Sequence, residues 1–584
     1  MGDDALAEIF RMSAPALVAQ FERLAGAPGG VARLRELILA LAVRGKLVSQ
    51  EPSDEPASAL LQGIRAEKER LIADGRIKPD KASSAAIDQH PFEIPETWIW
   101  VSMGEVVEIV RGITFPASEK TREAAPGRIA CLRTANVQES IEWEDLLFVS
   151  RSFMGREDQL LKLHDIVMSM ANSRDLVGKV ALVDRIPHAE STFGGFLGVL
   201  RPWKIDPRYA MALLRSSYAR STLIDSSSQT TNIANISLGK LRPLPFPLPP
   251  LAEQARIVAR VDELMRLCDA LEAKGRLEAE QHARLIGTLL GTLTDSSTPE
   301  ELAANWQRVA DHFDLLLDRP EAVDALEQTI LRLAVRGLLV QQDPSDEPAS
   351  ALLEQARCEG KLLDAKPTTK RGLPAGELQA DQEFRLPSGW EWVCLTDLLP
   401  EFQNGVASRG DTGGRQITVL RLADIKARRV SLADTRQIPI AERDIEKYRL
   451  RSGDILITRV NGSADIVGQF NLCEEDVDAI YCDHFIRLRV RTDWLDPAFA
   501  ALLGESDLIR NRIRGLFITT AGQKTVNQGH IGSLGFALPP RAEQIRIVTR
   551  VTEIRRLCAE LRQRLNASQT TQSHLAEALI AEVA

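Results

Sequence analysis

Ile38 to Gln62 reads ILALAVRGKLVSQEPSDEPASALLQ, and Ile330 to Glu354 reads ILRLAVRGLLVQQDPSDEPASALLE. The copies differ at five aligned positions: Ala40/Arg332, Lys46/Leu338, Ser49/Gln341, Glu51/Asp343 and Gln62/Glu354. A second pair follows the same rule, Leu248 to Leu271 (LPPLAEQARIVARVDELMRLCDAL) returning as Leu538 to Leu561 (LPPRAEQIRIVTRVTEIRRLCAEL). The offsets are 292 and 290 residues, so the chain is two tandem half-molecules. Their inserts, Phe92 to Pro247 and Phe384 to Ala537, are far less alike than the frame around them. A repeated frame with variable inserts suits a protein that reads two different things with one geometry.

Outward from the first copy, Leu34, Leu37, Ile38 and Leu41 make a helical stripe that stops at Gly45, and Pro56 restarts a helix that ends at Gly75. An opening helix with Leu17, Phe21 and Leu24 has its counterpart from Pro299 to Leu316. In the second repeat Ile257, Val261, Leu264, Cys268 and Leu271 alternate by four and three, as do Ile547, Val551, Ile554, Cys558 and Leu561. That is the seam of a coiled coil. The two helices are expected to pair antiparallel, giving a stalk with internal two-fold pseudo-symmetry and one insert at each end. A helix of roughly 25 to 30 residues spans about 40 Å.

Inside the inserts, short apolar runs alternate with Gly, Asn and Asp: Ile129 to Leu132, Asp165 to Met170, Gly178 to Val183 and Phe196 to Leu200, then Val419 to Leu422, Asp454 to Ile457 and Phe485 to Val490. This is strand-and-turn chemistry, while Tyr209 to Ser217 and Pro497 to Arg510 read as helices. The fold class is therefore α/β (α+β), with two mixed α/β inserts joined by the long helices. Trp98 with Trp100, and Trp390 with Trp392, fall on one face of an extended stretch and anchor each insert to its stem. The segments are 1–30 amino-terminal helix, 31–90 first repeated helical region, 91–247 first insert, 248–382 central region, 383–537 second insert and 538–584 final helix.

The net charge of −9 argues against a non-specific nucleic-acid coat. Arg409 to Arg459 is locally basic, and Arg487, Arg489, Arg491, Arg510, Arg512 and Arg514 add to it. No apolar run approaches the roughly 20 residues of a membrane span and no leader pattern opens the chain; a cytoplasmic protein with no membrane partner is expected. The seven cysteines show no CxxC spacing, and Cys268 and Cys558 sit where a small packing residue belongs. No metal site is expected.

Catalytic motifs are missing. Leu238 to Leu241 lacks the spacing of a phosphate loop, no HExxH exists, and neither Ser173 nor Ser463 has an adjacent His or Lys. Phe193 to Gly198 lacks dinucleotide spacing and reads as a strand edge with close backbone packing. What remains are polar loop groups at matching places in both inserts: Arg111 and Thr114 against Asn404, Ser408 and Arg409; Ser169, Asn172, Ser173 and Arg174 against Arg459, Asn461 and Ser463; Thr231, Asn232 and Asn235 against Gln523, Lys524 and Asn527. Arg133, Asn136, Lys179, Arg415 and Arg421 complete the candidates. Arg pairs with guanine, and Asn or Gln with adenine; Lys and hydroxyl groups more often hold phosphate.

The sequence resembles the specificity subunits of Type I restriction-modification systems. The carrying residues are Gly112 to Phe115, Val167 to Gly178 (VMSMANSRDLVG), Thr192 to Pro202 (TFGGFLGVLRP), LPPLAEQ at Leu248, LPPRAEQ at Leu538 and the two AVRG segments. The resemblance implies that each insert is a target recognition domain reading one half of a bipartite double-stranded DNA site. It also implies that the helices set the spacing and bind two modification (methyltransferase) subunits. Those partners would carry S-adenosylmethionine; motor-nuclease restriction subunits would carry ATP and Mg; this chain would be non-catalytic and hold no cofactor. Half-site centres about one turn apart, 34 to 36 Å, are expected, with the gap changing if the helix is shortened at Leu267 to Leu271. The competing reading is a coiled-coil scaffold that assembles two partners without reading DNA.

Overall fold

The computed structural model describes residues 21–22, 24–75, 90–173, 176–225, 228–230, 233–296, 298–362, 384–406, 414–426, 428–430, 435–520 and 522–581. The chain divides into two compact units, Met1–Glu278 with Ser568–Ala584, and Ala279–Ala567.

In the first unit α1 (Gly30–Val43) buries Leu34, Leu37, Ile38 and Leu41, the spacing of one helical face. It ends at Gly45, where φ is 71° and the Lys46 N–H closes back onto the Leu41 carbonyl at 3.0 Å, a glycine-terminated cap. Only glycine fits, because a Cβ there would lie 2.4 Å from Pro95 Cγ. α2 (Ala57–Ala73) starts after Pro56 and ends before Gly75, as the spacing predicts. Leu17 lies outside the described residues, as does the Lys-, Asp- and Ser-rich stretch from Lys78 to Ser84 in which the sequence predicts a linker.

The first insert carries three sheets beyond its stem. A four-stranded antiparallel sheet runs in the order Val107–Arg111, Leu197–Pro202, Ile166–Ser169, Val180–Leu182. Arg128–Leu132 lies between Leu147–Ser150, antiparallel, and Ser191–Phe193, parallel. A third ribbon joins Ser228–Thr230, Ile233–Asn235 and Ala171–Asn172. The proline-rich neck is itself a strand: Pro245–Leu248 pairs antiparallel with Ile99–Ser102, so the insert enters and leaves side by side. Pro tolerates this because the pair is a two-stranded edge. α3 (Leu251–Asp295) follows.

The second unit repeats this plan. α4 (Pro320–Val335) ends before Gly337, φ 73°, packed against Pro387 and Trp390, and α5 (Ala349–Leu362) follows. The sheets keep the same orders: Glu401–Asn404, Phe485–Arg489, Ile455–Thr458, Phe470–Leu472; then Arg436–Ile440, Arg415–Leu420, Ala479–Tyr481; then Val460–Asn461, Gln523–Thr525, Ile518–Thr520. Glu391–Cys394 pairs with Gly535–Leu538 before α6 (Arg541–Ala581).

Four expectations change. The long helices run 45 and 41 residues, because the exposed polar stretch beyond Leu271 contains no proline and Gly275 alone does not stop it; each is roughly 60 to 70 Å long at 1.5 Å per residue. The seam residues enter a unit core. Ile257, Val261, Leu264 and Cys268 are buried with α1, Leu271 at the margin, and Ile547, Val551 and Cys558 are buried with α4, Ile554 and Leu561 at the margin. Arg35 of α1 ties down Asp269 and Glu272 at 2.6 and 2.7 Å. Burial pushes the Cys268 thiol up to about 11. Finally, Trp98 and Trp390 precede their strands instead of sharing a strand face with Trp100 and Trp392. Pro497 to Arg510 is likewise two helices, Pro497–Glu505 and Asp507–Gly515, broken at Ser506.

The displaced tryptophans explain the AEQ motif. Trp98 Nε1 donates to the Glu253 carboxylate at 2.9 Å and Gln50 donates to its other oxygen at 2.6 Å. Trp390 and Gln342 do the same to Glu543 at 3.0 and 2.8 Å. Gln254 accepts from the Asp206 backbone N–H at 2.8 Å and donates to the Pro249 carbonyl at 3.0 Å, and Gln544 accepts from Asp496 N–H at 2.7 Å. Asp206 and Asp496 in turn cap the helices Pro207–Arg215 and Pro497–Glu505. PSDEP contributes the ion pairs Asp54 to Arg256 (2.5 Å) and Asp346 to Arg546 (2.6 Å). The repeated frame is a latch that fastens each insert to its long helix.

Candidate nucleic-acid interface

The second and third predicted clusters meet in each unit. The ribbon of the first insert sets Asn172 opposite Ala234 and Ala171 opposite Asn235; that of the second sets Asn461 opposite Lys524 and Val460 opposite Thr525. The first cluster ends the neighbouring strand of the four-stranded sheet. Arg111 lies across from Gly198, and Gly198 across from Met168, one residue before Ser169. Asn404 lies across from Ile486, which faces Ile457 beside Thr458. Gln528, the residue after Asn527, donates through Nε2 to Asn404 Oδ1 at 3.1 Å, joining the end of the third cluster to the first.

A glycine makes this convergence possible in each insert. A Cβ on Gly112 would sit 2.2 Å from the Gly194 carbonyl oxygen, and one on Gly405 would sit 2.0 Å from that of Cys482. The turn Gly194 to Leu197 therefore lies against the strand end, closed by Leu197 N–H to Gly194 carbonyl at 2.8 Å. Its counterpart closes from Phe485 to Cys482 at 3.0 Å. The expected close packing at Phe193 to Gly198 is this contact.

The candidate side chains differ in availability. Arg111, Thr114, Ser173, Asn235, Ser463, Gln523 and Asn527 are exposed, and among the described residues the Arg111 guanidinium has no partner. Asn172 and Asn461 accept from the backbone N–H of Ser173 and Ser463 at 2.8 and 2.9 Å, which fixes their loops. Lys179 donates to Gln138 at 3.0 Å, Lys524 to the Gly462 carbonyl at 3.1 Å and Arg459 to the Asp483 carbonyl at 3.3 Å. Arg174, Thr231, Asn232, Ser408 and Arg409 lie outside the described residues.

Several candidates are engaged by their surroundings. Asn136 is buried, accepting from Arg133 N–H at 2.9 Å and donating to the Glu142 and Glu144 carbonyls. Arg133 is paired with Asp145 at 2.8 Å, Arg421 with Asp424 and Arg415 with Asp478 at 2.8 Å. Ser169 is buried, its hydroxyl without a hydrogen-bond partner among the described residues. The arginines beyond the basic run are also engaged within the chain. Arg489 grips Asp454 at 2.7 and 2.8 Å, as Arg201 grips Asp165, while Arg491 pairs with Glu359 and Arg514 with Asp465. Arg487 and Arg510 are buried on backbone carbonyls. Local charge counting overstates the positive surface.

Two exposed residues are not among the candidates: Phe196 and His484, each the third residue of its turn. Only the turn itself marks them, since exposure is not written in residue type. The ligand atoms of Cys482, Asp483 and His484 lie within 4.8 Å of one another, a grouping that motif spacing does not flag. Among the described residues no helix is long and apolar enough to cross a membrane.

Comparison with known proteins matches residues 95–281 to the family described as Type I restriction modification DNA specificity domain. The chain is 33% identical over 564 residues to the Type I restriction enzyme EcoEI specificity subunit of Escherichia coli, covering 94% of this chain and 93% of that one. This chain belongs to the Type I restriction enzyme specificity subunits. The specificity subunit of EcoAI, also from Escherichia coli, is 32% identical over 562 residues, covering 94% and 93%. That of StySPI from Salmonella potsdam is 29% identical over 494 residues, covering 84% and 89%.

Proposed function

We propose that this specificity subunit reads an asymmetric, bipartite double-stranded DNA site, one half with each insert acting as a target recognition domain, while α3 and α6 pair antiparallel to set the gap and dock two modification subunits. The observation that carries the reading is the repetition of one loop constellation with different side chains. The same strand end holds Arg111 in one insert and Asn404 in the other, beside a polar ribbon that carries Asn172 or Asn461. Arg suits guanine and Asn suits adenine in the major groove, so one geometry would yield two unlike half-sites. The overall charge of −9 fits a division in which partner subunits supply much of the phosphate contact.

The chemistry falls to the partners in this reading: S-adenosylmethionine on the modification subunits, ATP and Mg on restriction subunits. The residues of this chain position, orient and discriminate. A genome-wide map of adenine methylation with and without the gene tests it. Loss of one asymmetric bipartite motif supports the reading; unchanged motifs in the presence of active modification subunits refute it.

A further inference from the structure

Phe196 is 70% exposed, and among the described residues only Phe313 is another exposed phenylalanine. A single apolar surface residue needs no explanation by itself. This one, however, is held out by its backbone. The turn closes through Leu197 N–H to the Gly194 carbonyl at 2.8 Å, and the Phe196 carbonyl accepts from Met170 N–H at 2.8 Å. On the other side Gly112 presses on Gly194, and Gly195 stands so close to Thr114 that a Cβ would lie 3.1 Å from its Oγ1. The Phe196 backbone is thereby fixed between the strand end that carries Arg111, two residues from its partner Gly198, and Met170, which precedes the Ala171–Asn172 strand, and the ring is not part of a core cluster.

Resting on the DNA reading above, we propose that Phe196 is a specificity-determining residue that packs on the 5-methyl group of a thymine in the half-site read by the first insert. A phenyl ring has no hydrogen-bonding group with which to read base edges. The one apolar group that a base pair presents in the major groove is the thymine methyl, and Phe is among the side chains that contact it. The second insert carries His484 at the corresponding turn position, where its backbone carbonyl accepts from Arg459 N–H at 2.7 Å. An imidazole can hydrogen-bond a base edge, so the two half-sites differ at this position.

The test uses the complete complex of this chain with its modification subunits and duplexes bearing its mapped site. Each thymine of the first half-site is replaced in turn by uracil, which lacks only the methyl. The wild-type complex loses about three- to fivefold in binding at one position, the size of one buried methyl. Phe196→Ala binds the thymine duplex as weakly as wild type binds the uracil duplex and shows no further loss; Phe196→Leu keeps the thymine preference. Uracil replacement without effect at every position, or an undiminished uracil effect in Phe196→Ala, overturns the proposal. A wild-type complex that prefers no site at all removes the DNA reading itself and the proposal with it.

Discussion

Arg111 and Asn404 occupy one register position in two inserts: each ends the first strand of a four-stranded sheet, across from Gly198 and Ile486, and each precedes a glycine pressed onto the neighbouring turn. Arg111→Ala is expected to relax one guanine position of one half-site and Asn404→Ala one position of the other, each by about 1 to 3 kcal/mol of discrimination. Methylation maps of hosts carrying each variant check this. Relaxation in both half-sites from one substitution would break the assignment.

Glu253 is buried beneath Trp98 and Gln50. Glu253→Ala leaves two donors without an acceptor and is expected to cost about 2 to 4 kcal/mol; Glu253→Gln keeps an acceptor and costs less. Burial raises the carboxyl pKa above its ordinary value, against the lowering effect of Trp98 and Gln50. The native state then binds more protons than the unfolded chain between the ordinary and the raised pKa. Wild type therefore gains stability relative to Glu253→Gln as pH falls through that window. Thermal melts at neutral and mildly acidic pH measure the difference; a constant gap would show that the carboxylate is not desolvated.

Gly45→Ala is expected to destabilise the first unit by more than Gly75→Ala. Both have φ of 71°, costing a side chain about 1 to 2 kcal/mol, but nothing lies within 4 Å of a Cβ on Gly75, whereas Pro95 Cγ lies at 2.4 Å from one on Gly45. Equal melting temperatures for the two variants would show that the packing relaxes freely.

Buried Arg510 donates to the carbonyls of Val467, Ala464 and Asp465 at 3.0, 3.2 and 2.9 Å. Burial, with Arg514 and Arg428 nearby, lowers its pKa to about 10. It braces the loop that follows Asn461 and Ser463. Arg510→Met is expected to cost about 1 to 3 kcal/mol and to weaken discrimination at the second half-site alone, read by melting and by motif mapping. Equal losses at both half-sites would contradict a local brace.

The gap in the DNA site is expected to follow helix length. Shortening at Leu267 to Leu271 would disturb the core around Cys268, so the change belongs in the exposed stretch 272–281. Inserting four residues after Lys274, with four after Asn566, adds about 6 Å to each helix. A longer gap with unchanged half-sites supports the division of labour; altered half-site letters refute it.

The frame was legible because its rules are local. The stripe of Leu34, Leu37, Ile38 and Leu41, its glycine stop and the strand runs follow from periodicity and turn chemistry. Both polar clusters that form the ribbons were also visible as matched loops. Availability was not. Asn136 and Arg111 look equally able to meet a base, yet one is enclosed by two carbonyls and the other is exposed with no partner for its guanidinium among the described residues. The same holds for Trp98, whose partner Glu253 is distant in sequence, a pairing that no local pattern announces.

The Gln254 and Gln544 amides grip mainly backbone: Asp206 N–H and Pro249 carbonyl in one case, Asp496 N–H with the Trp494 and Pro539 carbonyls in the other. Backbone atoms are common to every sequence. An incoming insert therefore needs a tryptophan at its entrance, an aspartate-capped helix near its exit and an apolar face that fits the core it shares with the frame helices. That is a grafting rule: foreign inserts cut at Phe92 and Pro247 should seat without redesign of the helices that receive them.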